Sequence, residues 1–390
     1  MIPVAIFLAV PVGNTVAGES GSSLEVKHEY FWDRNGVWNH TPAFALKWAL
    51  SRKWSFNWEQ ELDFVTGASR RLGMDKVGQM GDNGIDAVSG ASKVELRHSE
   101  NPGIAYASKG TVATASFYHS RENDYFSMSP AGSLSADFNE RNTTVGVNWA
   151  EFFDDYRPQG AYAGMGGKKR IRSLGGTLAQ SLTPLTLVGL TGTYINSWGY
   201  LGHPYNPPID IHGVISAEAV PDKKTGVAVA GQIVQGYHIG DRLGSLNVDV
   251  RRFQDTWGIK SSTADVKLSQ YFSEGSFVRL RVRYYNQTGA VFAKREYDGS
   301  ELYRTADIRF FPFISYLLGA KLSFALPDSW GESVILPDRW DIKYDHMFRN
   351  TKGDPVGSAP GQTAPILYQL YGPDENYLQG VFMLGLVFNL

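Results

Sequence analysis

Apolar and polar residues alternate with a period of two over most of the chain. At the carboxyl end, Phe382, Leu384, Leu386, Phe388 and Leu390 stand at every second position against the mixed set Gln379, Val381, Met383, Gly385, Val387 and Asn389. Residues 24–32 set Leu24, Val26, His28, Tyr30 and Trp32 against Glu25, Lys27 and Glu29, and residues 42–50 set Phe44, Leu46, Trp48 and Leu50 against Ala43, Ala45, Lys47 and Ala49. After a tight turn at Ser51 to Lys53, Trp54, Phe56, Trp58, Leu62 and Phe64 oppose Ser55, Asn57, Glu59, Glu61 and Asp63. The pattern returns where Val278, Leu280, Val282 and Tyr284 oppose Arg279, Arg281 and Arg283, and where Trp340, Ile342 and Tyr344 oppose Arg339, Asp341, Lys343 and Asp345. A side-chain period of two marks strands with two unlike faces.

A soluble sandwich also alternates, with its charged face outside. Here Trp and Phe gather on the apolar face of several strands, as at a lipid interface. The apolar runs are also long enough, at roughly nine to eleven residues, for a tilted strand to cross hydrocarbon. An open sheet would leave edge groups unpaired there, whereas a closed one satisfies them all. The chain therefore reads as all-β, an antiparallel transmembrane β-barrel of about 16 strands, with 14 to 18 admitted by the parse. Residues 120–140 and 326–376 do not divide uniquely. Short turns are expected at Ser51 to Lys53, Ser108 to Gly110, Thr183 to Pro184, Gly240 to Gly244 and Ser273 to Gly275, on the periplasmic side. Longer segments at 66–91, 154–170, 198–224, 290–302 and 350–375 are expected mostly outside.

Residues 1–18 read as a signal-peptide remnant, an apolar Ile2 to Pro11 followed by the small Val16, Ala17 and Gly18, though without the usual basic start. Residues 19–390 then form a single barrel domain. No apolar run reaches the roughly 18 residues of a spanning helix. Aromatics at 13% and 42 glycines suit the girdles and turns of a Gram-negative outer-membrane barrel. The chain has no cysteine, which removes c-type haem attachment, iron–sulfur ligation, thiolate zinc, a thiol nucleophile and an N-terminal lipid anchor. No cofactor is expected. A formal charge of -2 gives no basic face for nucleic acid.

With the apolar faces turned to lipid, the inward faces carry charge of both signs. Glu59, Glu61 and Asp63 form an acidic ladder, and Arg279, Arg281 and Arg283 a basic one, with Asp249, Arg251, Asp265 and Lys267 between them in sequence. Facing each other across water, such ladders would line a pore and orient small polar solutes. Paired with each other, they would fill the lumen as a polar core and close it. Both arrangements fit the sequence.

One segment repeats: Asp63-Phe64-Val65-Thr66-Gly67-Ala68-Ser69 is echoed by Asp86-Ala87-Val88-Ser89-Gly90-Ala91-Ser92. The copies bracket residues 66–91, the candidate inward-folded constriction loop, marked by Asp63, Ser69, Asp86 and Ser92. A hard cation could take their oxygens, with Asp82-Asn83-Gly84 nearby, but a structural turn explains the same residues and no metal site is expected. Gly164-Met165-Gly166-Gly167-Lys168-Lys169-Arg170 lacks the GxxxxGK[ST] spacing of a phosphate cradle and reads as a basic surface loop that touches lipopolysaccharide phosphates. His28 and His346 fall on outward positions. Ser116, His119 and Ser120 are the nearest approach to a hydrolase on a barrel exterior, and nothing ties them to an acid partner. The chain is not expected to be an enzyme.

Five further motifs accompany the repeat: Ser120-x-Glu122-x-Asp124-Tyr125-x-Ser127, Asn142-Thr143-Thr144, Gln180-x-Leu182-Thr183-Pro184, Gly199-Tyr200-Leu201-x-x-Pro204-Tyr205, and Arg283-Tyr284-Tyr285-x-Gln287-x-x-Ala290-x-Phe292. In this order, over about residues 63 to 310, they resemble a bacterial outer-membrane β-barrel family, porin-like, catalogued as a conserved domain of unknown function. The sequence departs from that pattern at Phe64 and Thr66, and at Phe292-Ala293, where an aromatic pair is more usual. The resemblance implies fold and outer-membrane location, and no activity. Members encoded beside flavin-attaching and thioredoxin-like exported proteins imply an envelope redox setting. The expected partners are outer-membrane lipid and lipopolysaccharide, the barrel-assembly machinery through the C-terminal strand, and a periplasmic or surface redox protein. The expected function is a channel for small polar solutes or ions with a charged lumen. The alternative is a closed or plugged barrel that serves as scaffold or sheath for an envelope partner such as an electron-transfer protein.

Overall fold

The computed structural model describes residues 21–33, 37–66, 94–159, 163–203, 208, 210–212, 216–294, 297–326, 336–351 and 376–390. The expected signal segment, the repeat's second copy and most of the 66–91 and 350–375 segments lie outside them.

The alternating stretches all become strands. Those of the first half are β1 (Ser23–Asp33), β2 (Trp38–Ala49), β3 (Trp54–Thr66), β4 (Val94–Ser108), β5 (Thr111–Arg121), β6 (Tyr125–Phe138), β7 (Thr143–Tyr156) and β8 (Gly167–Thr183). The second half supplies β9 (Thr186–Gly199), β10 (Lys223–Ile239), β11 (Arg242–Asp255), β12 (Lys260–Ser273), β13 (Ser276–Gln287), β14 (Phe313–Ala325), β15 (Arg339–Thr351) and β16 (Asn376–Asn389). Each pairs antiparallel with its sequence neighbours, and β1 pairs with β16 from Ser23↔Asn389 to Asp33↔Gln379, which closes the barrel at 16 strands. Closure leaves no edge whose N–H and C=O groups would go unpaired in lipid.

Register carries the period of two around the whole ring. The positions facing outward on β13 continue onto β14 through Leu280↔Ala320 and Val282↔Leu318, and onto β12 through Leu280↔Leu268 and Val282↔Val266. Leu280 and Val282 are 54% and 52% exposed, and Val250, Leu190 and Val147 are as bare. A continuous apolar exterior of this kind has hydrocarbon as its natural solvent. Among the described residues no helix is long and apolar enough to cross a membrane.

Connections alternate in length, with four exceptions to the expected pattern, one of them the long 326–338 link on the side of the chain ends. On the side of the chain ends the links at 50–53, 109–110, 184–185, 240–241 and 274–275 are tight, as expected. The unparsed 120–140 region hides one more, 139–142, where Asn139, Glu140 and Arg141 take positive φ of 54°, 55° and 68° without any glycine to announce it. On the opposite side, 34–37, 122–124 and 256–259 are short too. Side-chain capping permits this: the Asp255 carboxylate accepts the N–H groups of Trp257 and Ile259, each at 3.0 Å, and the Asp33 carboxylate accepts that of Val37 at 2.9 Å.

Candidate functional site

Two structures occupy the interior: a charged wall, and a pair of loops docked at one mouth. The wall is built by the inward half of the alternation. Glu59, Glu61, Asp63, Asp249, Arg251, Arg279, Arg281 and Arg283 all stand at inward positions, as register with their neighbours shows. Charges of opposite sign meet between adjacent strands. Asp63, 4% exposed, pairs with Arg97 and also accepts from the Thr41 hydroxyl and, at 3.3 Å, from the Asn39 amide. Lys267 reaches Asp249 at 3.2 Å, Lys321 reaches Asp341 at 2.9 Å and Lys343 reaches Asp345 at 2.8 Å. Arg281 holds Asp265 at 2.5 Å and spans a whole strand to Asp345 at 3.6 Å. That second contact passes over β14 because Gly319 lies between them, where any Cβ would collide with the Asp345 carboxylate.

Asp63 and Arg281 are thus taken by close neighbours, and the other members of the two ladders are not. Glu61 is 3.9 Å from Arg97, and among the described residues Glu59 accepts from the Asn101 amide, at 3.2 Å. Arg279 donates to Ser269 at 2.9 Å, and Arg283 has no ion pair among the described residues. These groups lie on β3 and β13, six strands apart by the shorter way round the ring of 16.

At the mouth away from the chain ends, the β9–β10 and β13–β14 connections join. Ala219 and Arg304 exchange backbone hydrogen bonds at 2.9 and 2.7 Å. Beneath them Trp257, Ile259, Ala290, Phe292 and Phe310 form a buried cluster that takes in the inward Phe253 of β11. Trp257 meets Phe292 and Phe310 edge-on at 5.1 and 5.3 Å between centroids. Gln287, at the inward end of β13, donates to the carbonyls of Arg309 and Phe311, both at 2.8 Å.

A chain of buried polar contacts runs on from there. Arg309 grips Asp307 with its Nε at 2.9 and 2.8 Å, and the Asp307 backbone N–H donates to the Thr305 hydroxyl at 2.9 Å. The Thr305 hydroxyl donates to Glu218, which also accepts the His203 backbone N–H. His203 Nε2 is 3.2 Å from the Tyr156 hydroxyl at the inward end of β7. Beside it Asp154 accepts from Tyr125 at 2.5 Å and Ser127 at 2.7 Å, and pairs with Lys169 at 3.3 Å. The docked loops therefore form a strap from β7 to β13, again six strands apart.

Burial sets the charge of the strap. It pushes the Glu218 carboxyl up to about 8, against the two hydrogen bonds it accepts, and pushes His203 down to about 3, helped by Arg309. Burial acts against Asp307 as well, yet Arg309 holds its carboxyl below the ordinary range. The Arg309 side chain keeps 39% of its exposure.

Several expected residues fall elsewhere. Of the constriction set, Asp63 lies on the β3 wall, and Ser69, Asp86 and Ser92 lie outside the described residues. Ser116 and Ser120 point inward and His119 outward, so they cannot act together. Gly164 and Met165 belong to a surface link, but Lys168 and Arg170 belong to β8 and face out. Among the described residues no cluster of His, Asp or Glu could hold a metal. The strap itself was signalled: Tyr125, Ser127, Tyr200, Leu201, Gln287, Ala290 and Phe292 all come from the motifs quoted above and meet at this mouth. The two other motifs meet at the opposite end, where Thr143 donates to Gln180 at 2.7 Å.

Residues 149–337 match the model of a family described as protein of unknown function, DUF3570. The resemblance drawn from the motifs holds over that stretch. No curated protein matches the chain. Among solved structures, a bacterial polysaccharide outer membrane secretin is similar at 10% identity, over 95% of this chain and 99% of its own, with a TM-score of 0.48. CdiB from Acinetobacter baumannii is similar at 8% identity over 94% of this chain and 60% of its own, with a TM-score of 0.50. The outer membrane protein opdK from Pseudomonas aeruginosa is similar at 8% identity over 95% and 98%, with a TM-score of 0.42. Likeness at such identities concerns the barrel fold alone.

Proposed function

We propose that the chain is an outer-membrane channel for small polar solutes or ions, with the strap at its external mouth. The inner wall supports this reading: Glu59 and Glu61 on β3 and Arg279 and Arg283 on β13 are not neutralised by close ion pairs, so a transverse field crosses the lumen. A polar core packed shut would leave such groups desolvated and costly.

Single-channel conductance of the refolded chain in a planar bilayer tests it. Removing one unit charge about 10 Å from an ion's path in water changes its energy by about 0.4 kcal/mol, roughly twofold in relative permeability. Glu61→Ala should shift selectivity toward anions and Arg283→Ala toward cations, each by about that factor. The strap favours a second reading, a plugged barrel that holds an envelope partner such as an electron-transfer protein. A folded, heat-modifiable barrel that stays electrically silent would select it over the channel.

A further inference from the structure

The outward faces are unevenly charged. On the half nearer the chain ends, the outward strand positions carry no charge except Arg242, at the last rung of β11. On the other half, Arg121, Lys168, Arg170, Arg172, Lys223, Arg252 and Lys260 face out against Glu100, Glu151 and Asp155. The acids are already engaged. Glu151 lies 3.1 Å from Arg172 and 3.8 Å from Arg170, Glu100 lies 3.2 Å from His98, and Asp155 lies 2.5 Å from Arg157. From β10 to β12 no acid stands at an outward strand position, and Lys223, Arg252 and Lys260 have no ion pair among the described residues.

Two of these cations share a concavity. Between the mouth ends of β11, β12 and β13 lies a pocket of about 300 Å³ lined by Arg252, Lys260, Ser262, Asn286, Thr288 and Pro312. Its walls are fixed. The Arg252 guanidinium donates to the Ser262 hydroxyl, the Lys260 N–H donates to the Thr288 hydroxyl at 2.9 Å, and that hydroxyl donates to the Gly258 carbonyl at 3.1 Å. One rung deeper, the same outward faces turn apolar at Val250, Ala264 and Tyr284.

We infer that this pocket binds the phosphate group of a phosphorylated glycolipid of the outer leaflet, with the lipid's acyl chains lying along Val250, Ala264 and Tyr284. Two cations with hydroxyl and amide groups around them match an anionic phosphate in charge and in hydrogen bonding. The two cations and Ser262 that line the pocket stand at outward strand positions, at the level where apolar residues give way to charged ones. Arg and Lys are tolerated on a barrel exterior near the interface and resisted at midplane, which fits their position here. The inference rests on the outer-membrane reading above and is independent of conduction.

The test uses the full refolded chain in detergent micelles, with lipid binding counted by native mass spectrometry. The probes are diphosphoryl lipid A, the same lipid stripped of phosphate, and inorganic phosphate. Diphosphoryl lipid A should bind and the stripped lipid should bind at least about tenfold more weakly. The double variant Arg252→Ala with Lys260→Ala should lose binding by a similar factor, Arg252→Lys should keep most of it, and Arg242→Ala should change nothing. Equal binding by the double variant, or equal binding of the stripped lipid, overturns the inference. So does competition by inorganic phosphate as tight as the lipid's own binding, which would make the site one for free anions. Heat-modifiable migration confirms that each variant is folded, and Lys260→Met alone repeats the test if the double variant is not. A silent barrel that binds lipid A would sink the channel and spare this site, and a conducting barrel that ignores lipid A would do the reverse.

Discussion

At the scale of single residues, the structure is controlled by places where a side chain has no room. Gly319 lets Arg281 reach Asp345 across a strand, and Gly199 permits the chain to leave β9 for the strap. Gly199 has a φ of 102°, and a Cβ there would overlap the Lys168 carbonyl. Strain and collision add at this site, so Gly199→Ala should destabilise the barrel by about 2 kcal/mol or more. A urea titration of the refolded protein in micelles checks this. An unchanged midpoint would mean that the β8–β9 register yields more easily than its backbone contact implies. The β8 lipid face shows a second residue-scale rule. Asn148 fills the space beside Gly175 on the inward side, while Arg170 and Arg172 lie against Trp198 at 5.9 and 5.7 Å on the outward side.

At the scale of elements, the strap is the part of the molecule most open to control. Glu218 is faced by Asp307 and Arg309, by Tyr200 and Tyr297, and by its donors Thr305 and His203; His203 is faced by Tyr156, Lys169, Asp307 and Arg309. Glu218 has its carboxyl raised from 4.5 to about 8, so docking holds a proton that the free loop would release. Its contribution is complete below about pH 4.5 and is lost as pH rises through about 8. His203 is depressed from 6.5 to about 3, so its contribution is present above 6.5 and lost as pH falls through about 3. Docking is therefore firmest in mild acid. Hydrogen exchange at the Ala219 and Arg304 amides, corrected for intrinsic rate, should show protection falling at least about tenfold from pH 6 to pH 9. Glu218→Gln should abolish that fall. Equal protection at both pH values in the unmodified chain would show that Glu218 is ionised throughout.

At the scale of the whole molecule, closure governs everything else. The β1–β16 seam is the pairing of longest range, joining the first strand to the last. Without β16, the edges of β1 and β15 would present unpaired backbone groups to hydrocarbon, each costing several kcal/mol. Deletion of residues 376–390 should therefore leave no heat-modifiable band on electrophoresis after refolding into micelles or vesicles. A truncated chain that still folded would mean that β15 and β1 can pair directly into a smaller ring.

The sequence determined most of the strands and their faces, because a period of two is a local property and needs no knowledge of partners, while the count was narrowed from 14–18 to 16 only by closure of the ring. It also placed Glu59, Glu61 and the three arginines of β13 inward, whereas Ser116 and His119, grouped above as neighbours, stand on opposite faces. Partnership was beyond it. Whether Arg281 meets Asp265, Asp345 or an acid across the lumen depends on register between strands and on the space at Gly319. The strap shows the same limit more strongly: the Thr305–Glu218 contact joins residues 87 positions apart. The motifs named many of its residues but not their common place, because only closure of the barrel brings the two loops over one mouth. The pocket of Arg252 and Lys260 likewise exists only where three strand ends converge. Local pattern set the faces, and the closed ring decided which charges found each other.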